Sequence, residues 1–334
     1  MVNPKGDLNA RNDTEPRMNY ASGYHAPVLC KAVIEGLVTR TSGVYLDGTL
    51  GGGGHTAAML DALSAEGSVI AIDQDEEAIR EASTRLAVEL ENGRLTILKG
   101  NFSDMATLLQ SHGIEQVDGI LLDLGVSSHQ LDEASRGFSH RMKGPLDMRM
   151  DQDQVFGADQ VVNEWEEREL MLAFFQLGEE PKSRRIARSI VQKRPILSTE
   201  ALAEIVRDAA PRGQESKTLA RVFQAIRIAV NRELDVLDTA LEDAVNLLGP
   251  GGRIAVISYH SLEDRRAKRF FRSGNLQGEI KKDFFGHQIS PWKEITRKPI
   301  SADENEKEEN PRSRSARLRI AERLEDKEQK THSF

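Results

Sequence analysis

The chain has 334 residues, 39% hydrophobic and 29% charged, enough apolar material for one large globular domain or two ordinary ones. Its one cysteine, Cys30, excludes a disulfide within the chain and fits a reducing cytoplasm. No run approaches the length of a membrane span, and the net charge of −8 argues against a nucleic-acid partner unless cations are clustered.

The first twenty residues are polar, lack the apolar centre of a signal peptide and read as a mobile tail, so residues 1–22 are set apart from the folded chain. An apolar run at 44–46 leads into Asp47-Gly48-Thr49-Leu50-Gly51-Gly52-Gly53-Gly54-His55, and a helical pattern begins near Thr56. A strand, a glycine-rich turn and a helix open a pocket at the carboxyl end of the first strand of a doubly wound α/β sheet. Glycine lets the backbone approach a ligand because no Cβ intervenes. About 20 residues further on, a second strand at 69–73 ends in Asp73, placed to accept two ribose hydroxyls. An adenosine-bearing ligand is therefore expected. Gly52-Gly53-Gly54-His55-Thr56-Ala57 also satisfies G-x-G-x-x-A, which leaves a dinucleotide and S-adenosylmethionine equally open.

Three more strands are predicted at 95–99, 119–124 and 253–259. The first four are separated by short helical patterns, which argues for parallel βαβ units. Phe102, just past the third strand, is placed to lie on an adenine, with core packing as an equal alternative. The fourth strand ends in Asp123. An acid there points into the ligand crevice, and it can orient an exocyclic amine and draw off its proton as a methyl arrives. Its alternative is a helix N-cap. Before the fifth strand, helical patterns at 161–176, 183–192 and 198–209 are punctuated by Pro181, Pro195 and Pro211, which predicts a helical insertion over 135–215. One long helix is predicted over 216–248, ended by Gly249-Pro250-Gly251-Gly252 with glycine at the cap. Residues 301–310 read as a flexible charged loop and 317–321 as a final edge strand.

Cations concentrate at Lys182, Arg184, Arg185, Arg188, Lys193 and Arg194, at Arg265, Arg266, Lys268, Arg269 and Arg272, and at Arg312, Arg314, Arg317 and Arg319. Each cluster alone suits a solvated helix face. Three in one acidic chain suit a phosphate-binding surface. No group of His and Cys has metal-ligand spacing, so no metal is expected.

Longer motifs follow one another along the chain. They are His25-Ala26-Pro27-Val28-Leu29, the glycine turn, Asp118-Gly119-Ile120-Leu121-Leu122-Asp123-Leu124-Gly125-Val126-Ser127-Ser128 and Gln130-Leu131-Asp132. Then come Arg136-Gly137-Phe138-Ser139, Gly144-Pro145-Leu146-Asp147-Met148-Arg149-Met150 and Phe223-Gln224-Ala225-Ile226-Arg227-Ile228-Ala229-Val230-Asn231. Last are Ser258-Tyr259-His260-Ser261-Leu262-Glu263-Asp264-Arg265 and Asn310-Pro311-Arg312-Ser313-Arg314-Ser315. In these motifs and their order the chain closely resembles the bacterial ribosomal RNA small-subunit methyltransferase H (MraW) family of cytosine-N4-methyltransferases.

The resemblance implies an α/β, class I (Rossmann-like) methyltransferase domain over 23–134 and 216–334, interrupted by an all-helical RNA-recognition domain at 135–215. It implies S-adenosyl-L-methionine as donor and N4-methylation of a cytidine in the decoding centre of 16S ribosomal RNA, in the small ribosomal subunit. The donor-binding positions of the family fall on Gly53, Gly54, His55, Asp73, Phe102, Asp123 and Gln130. Asp73 would take the ribose, Phe102 the adenine, and the glycines the methionine portion. Asp123 is the candidate acceptor for the amine. Many enzymes acting on exocyclic amines carry Pro-Pro and an aromatic after the acid, whereas this chain reads Leu124-Gly125-Val126. Phe138 and Tyr259 are the candidates to stack the cytosine instead, with core packing as the alternative for each. His260, after the fifth strand, is a candidate for base or phosphate contact. Asp147 and Arg149 either line an inter-domain cleft or form an ion pair across it. A nicotinamide-dependent oxidoreductase would leave Asp123 and the cationic clusters without a purpose, and a non-catalytic RNA-binding factor would have no use for the donor pocket. Neither a monomer nor a homodimer is excluded.

Overall fold

The computed structural model describes residues 27–325. The expected N-terminal tail and the first two residues of the motif starting at His25 lie outside the described residues. Five parallel strands run in the order β3 (Leu95–Lys99), β2 (Ser68–Asp73), β1 (Val44–Asp47), β4 (Val117–Asp123), β5 (Leu248–Ser258). β1, β2, β4 and β5 are mostly apolar and buried on both faces, as a parallel sheet between two helical layers requires. β9 (Arg317–Arg323) pairs antiparallel with β5, and β8 (Trp292–Glu294) pairs antiparallel with β9. The expected final edge strand is therefore internal. β8 forms the edge, and its three residues are too short to carry a readable alternation. β6 (Lys281–Lys282) and β7 (Gln288–Ile289) make a separate hairpin.

Helix α1 (Cys30–Leu37) precedes β1 and α2 (Gly54–Ala62) follows it. α3 (Glu76–Arg85) and α4 (Ala87–Glu91) join β2 to β3, and α5 (Met105–Ser111) joins β3 to β4. Between β4 and β5 lie α6 (Ser128–Asp132), α7 (Ala158–Glu164), α8 (Glu167–Gln176), α9 (Ser183–Gln192), α10 (Thr199–Ala209), α11 (Glu215–Asn231) and α12 (Glu233–Leu247). α13 (Ser261–Ser273) follows β5, and α14 (Glu304–Glu309) precedes β9. Among the described residues no helix is long and apolar enough to cross a membrane.

Among the described residues three large apolar cores result, with a small fourth at Ile228, Leu234 and Leu262. One covers one face of the sheet with Leu46, Ile120, Leu122, Leu241 and Phe270, and a second covers the other with Val33, Tyr45, Leu121 and Ile320. The third is built largely from helices, with Val162, Leu170, Phe174, Ile186, Leu202, Val222 and Ile226 from α7 to α11. Each such side chain contributes about 1.5–3 kcal/mol when fully buried. α9 shows why that segment folds as a helix: Ile186, Ala187 and Ile190 are buried while Arg184, Arg185 and Arg188 stay in solvent.

The helical expectations need three corrections. The pattern at 161–176 is two helices, divided where the Glu166 amide donates to the Glu169 carboxylate and starts α8 afresh. The single helix at 216–248 is also two, because Arg232 adopts a left-handed conformation with φ 50°. Its apolar stripe keeps period across the break, so periodicity hid it. No glycine caps α12: Leu248 is already extended, and Gly249 to Gly252 enter β5, where the β4–β5 register shifts between Val117 and Gly119. The predicted loop at 301–310 contains α14, started by the Asp303 carboxylate accepting the Glu306 amide at 2.8 Å.

Candidate active site

The carboxyl ends of β1, β2 and β4, with the loops after them, surround a cavity of about 1180 Å³ including its open mouth. β2 lies to one side of β1 and β4 to the other, so the crossovers diverge and leave a crevice, the usual ligand position in such a sheet. The glycine turn forms one wall. Gly51, at φ 50°, donates its amide to Asp73 Oδ2 at 2.8 Å. Gly53, at φ 74°, is the residue before α2, and a Cβ there would stand 3.0 Å from Leu86. Gly51, Gly52 and Gly54 face the cavity; Gly53 instead lets the turn pack on α3 and α4. Beneath the turn, the fully buried Asp47 accepts from Thr56 Oγ1 at 2.7 Å and the Thr49 amide at 3.1 Å. Burial holds its carboxyl above the usual range.

Asp123 stands opposite. Its Oδ1 accepts the Tyr259 hydroxyl at 2.9 Å, and its Oδ2 lies 3.5 Å from His55 Nδ1. His55 Nε2 is 2.9 Å from the Val28 carbonyl. A carbonyl only accepts, so Nε2 carries hydrogen, and the Nδ1–Oδ2 approach is favourable when a proton sits on one of those two atoms. Burial pushes the Asp123 carboxyl up to about 6, while His55 and the Tyr259 hydroxyl pull the other way and the Asp47 and Glu263 charges add to the rise. Burial and then the Asp123 charge hold the Tyr259 phenol well above its ordinary value, so it remains a donor. Asp123 does not cap a helix; Ser127 caps α6, accepting the Gln130 amide at 3.1 Å.

Asp73, Phe102 and Gln130 line the same cavity. Burial raises Asp73 to about 6 even though it accepts the Gly51 and Asp75 amides. Gln130 is buried and donates to Asp75 Oδ2 at 2.8 Å. The same carboxylate meets Arg136 Nη1 at 2.9 Å, and Arg136 also reaches Glu77 and the carbonyls of Arg149 and Met150. This network fixes the floor of the pocket to the start of the helical region.

Besides Gly53, four expected residues are not brought to the cavity wall. Phe138 lies in the helical core with the Arg136 guanidinium 6.0 Å from its ring centre. Asp147 and Arg149 pair with each other at 2.8 and 2.9 Å, and Arg149 also holds the carbonyls of Gln152 and Gln154. They clamp their own loop rather than bridge two bodies. His260 is 8% exposed and lies 3.1 Å from Glu263 Oε1 at the start of α13. Tyr259 does reach the cavity, but its hydroxyl holds Asp123 and its ring packs over Gly125.

Met150, Asn231, Glu233 and Glu263 line the cavity without having been singled out. Asn231 Oδ1 accepts the Met150 amide and its Nδ2 donates to the Met148 carbonyl, both at 2.8 Å. Burial alone would raise Glu263, but His260, Arg227 and the Tyr259 amide outweigh it and hold it low. Asn231 and Glu263 sit inside quoted motifs, which was their only signal. Glu233 was lost in the supposed continuous helix. Glu233, His260 and Glu263 bring one ligand-type atom each within 4.8 Å of one another, a grouping their sequence spacing does not reveal. Both carboxylates are already engaged, Glu233 by Arg227 at 2.7 and 2.8 Å.

Comparison with known proteins bears on what this site serves. A relative from Chlorobium luteolum named ribosomal RNA small subunit methyltransferase H is 49% identical over 321 residues, covering 90% of this chain and 96% of its own. One of the same name from Flavobacterium johnsoniae is 46% identical, covering 90% and 98%. An rRNA methylase structure from Streptococcus thermophilus covers 89% of this chain and 94% of its own, at 14% identity and TM-score 0.38. The strand order itself, with antiparallel β9 beside β5, is the doubly wound Rossmann-like sheet of class I methyltransferases. The model of the MraW methylase family matches residues 22–324, nearly the whole chain, and this protein therefore belongs to that family.

Proposed function

We propose that this protein transfers a methyl group from S-adenosyl-L-methionine to N4 of a cytidine in the decoding centre of 16S ribosomal RNA. The names of its close relatives support the substrate class. The observation that carries the chemistry is Asp123, a buried carboxylate on the cavity wall held from two sides by Tyr259 and His55.

The cavity suits the donor. Asp73 faces it at the end of β2, where ribose hydroxyls are accepted; Phe102 offers a face to adenine; and Gly51, Gly52 and Gly54 leave room for the methionine portion. Bound there, the donor supplies a methyl on a sulfonium, whose sulfur keeps the electron pair as the methyl departs. Asp123 accepts a hydrogen bond from N4, turns the amine toward the incoming carbon and takes the proton that must leave as the N–C bond forms. Tyr259 and His55 keep the carboxylate oriented, and His55 Nδ1 is the nearest next site for the proton. Met150, Asn231 and Glu233 form the side of the cavity toward the helical region, where a cytosine swung out of its stack would enter. Residues 135–215, with the exposed cations of α9, form the recognition domain for the surrounding RNA.

The test is incubation with methyl-labelled donor and small subunits lacking the modification, followed by mass spectrometry of nucleosides. Label in N4-methylcytidine is expected. Label in another nucleoside, or none while calorimetry records donor binding, overturns the reading.

A further inference from the structure

We propose that α13 and the β6–β7 hairpin form an RNA-strand track running outward from the Asp123 cavity, with cations along the helix for phosphates and two phenylalanines at its far end for unpaired bases. The proposal rests on the ribosomal RNA reading above and adds where on the methyltransferase domain the RNA lies.

α13 starts at the cavity, since Tyr259 and Glu263 at its beginning line the wall. Its thirteen residues carry it about 20 Å away. Arg265, Lys268, Arg269 and Arg272 fall at helical spacing on one face and are all exposed, while Leu262, Ala267, Phe270 and Phe271 are buried on the other. The four cations line a trough of about 690 Å³ closed by Gly278 and Ile280. Arg265 is paired with Glu179 at 2.7 Å. Among the described residues, Lys268, Arg269 and Arg272 have no carboxylate at ion-pair distance, and Arg269 reaches only the Leu276 carbonyl at 3.5 Å. These three exposed cations lack an ion pair there, although the Asp238 carboxylate lies near enough to Arg269 to feel its charge.

The hairpin caps that ridge. The Gln288 side-chain amide donates to the Arg272 carbonyl at the end of the helix. Phe284 and Phe285 are 97% and 80% exposed, with rings 5.7 Å apart and nearly perpendicular. Their turn is held in one shape: Asp283 accepts the Phe285 and His287 amides at 2.9 and 2.8 Å through its carboxylate, and the Gly286 amide at 3.0 Å through its carbonyl. Lys281 and Lys282 stand exposed beside them. Two water-facing aromatic rings on a held turn leave apolar area in solvent that a partner would cover. An apolar protein partner would match the rings but not the cations of the hairpin and of the helix that leads to it. A single-stranded polyanion with flat bases matches both, since stacking on aromatics and a cationic groove for the backbone are the two contacts such strands require.

The experiment measures methylation of unmodified small subunits, their binding and donor binding for three doubly substituted variants, Phe284→Ala/Phe285→Ala, Phe284→Leu/Phe285→Leu and Lys268→Glu/Arg272→Glu, and for a Phe284→Tyr/Phe285→Trp rescue. The alanine and glutamate variants should raise KM for subunits about tenfold or more, with kcat and donor Kd unchanged. The glutamate variant should also flatten the dependence of binding on salt. The Tyr/Trp variant should restore KM, and the leucine variant should not. Wild-type KM in the alanine or glutamate variants overturns the track while leaving the methyltransferase reading intact. Full activity of the leucine variant overturns base stacking in favour of an apolar protein contact. A wild-type protein that neither methylates nor binds subunits overturns both readings.

Discussion

Asp123 is under two opposed demands. The proposed reaction needs it ionised beside the amine, and burial favours its neutral form, which lifts its carboxyl from 3.8 to about 6. Methyl transfer should therefore fall as pH drops through about 6, because the protonated acid no longer accepts. Stability runs the other way. A folded pKa above the unfolded one gives a contribution fully present below about pH 4 and lost as pH rises through about 6. At neutral pH the buried charge costs up to about 3 kcal/mol. Asp123→Asn should lower kcat at least about 100-fold while raising Tm at pH 8, and the Tm gain should shrink as pH falls from 6 to 4. Calorimetric scans across that range, with single-turnover rates, check both. Asp73 shares the shift to about 6, so donor affinity of the Asn variant should keep its own pH dependence. Asp73 and Asp123 were legible because a strand end fixes where an acid points. Phe138 was not, because it lies in a loop where residue type is readable and side-chain direction is not, and Tyr259 was not, because β5 ends at Ser258, one residue before the expected strand end. One ring went to the helical core and the other became the donor to Asp123.

Among elements, the break at Arg232 separates two helices that serve different cores. Val222 and Ile226 of α11 pack in the helical core, and Leu237 and Leu241 of α12 pack on the sheet. The turn also carries Glu233 to the cavity and within reach of Arg227. Apolar runs bounded by turn residues marked all five strands, and the short helical spacing between the first four argued that those are parallel. Periodicity missed the break because the stripe continues in phase through a left-handed residue. Arg232 has φ 50°, where glycine is at home and an L side chain is strained, and its exposed pair with Asp235 adds little. Arg232→Gly should raise stability by about 0.5–1 kcal/mol, and Arg232→Val should lower it, since a branched Cβ crowds that conformation. Urea denaturation of the two variants decides this, with no gain for glycine counting against strain at the break.

At the scale of the whole molecule, the helical core is tied to the sheet by a polar seam beside a small apolar cluster of Ile228, Leu234 and Leu262. Three of the four described non-glycine residues at positive φ, Met148, Glu179 and Arg232, lie along that seam. Such conformations persist only where neighbours hold them in place. Glu179 is held by Ser261 and Arg265 of α13. Met148 is held by Asn231 through its carbonyl, and the adjoining Met150 by Asn231 and Arg136 together. Met150 and Asn231 also line the cavity, so the seam and the proposed donor pocket share their wall. Removing the Asn231 amide leaves the Met150 N–H and the Met148 carbonyl without their partners in a buried place, which costs about 2–3 kcal/mol. It also frees a strained loop to move into the space the donor would fill. Asn231→Ala should lower unfolding free energy by that amount and weaken donor binding about tenfold, with the Asp123 pH dependence of the remaining activity unchanged. Denaturation and titration calorimetry measure the two effects separately. A loss of stability with wild-type donor affinity would mean that Arg136 alone fixes the loop, and that the helical region can loosen without reaching the donor.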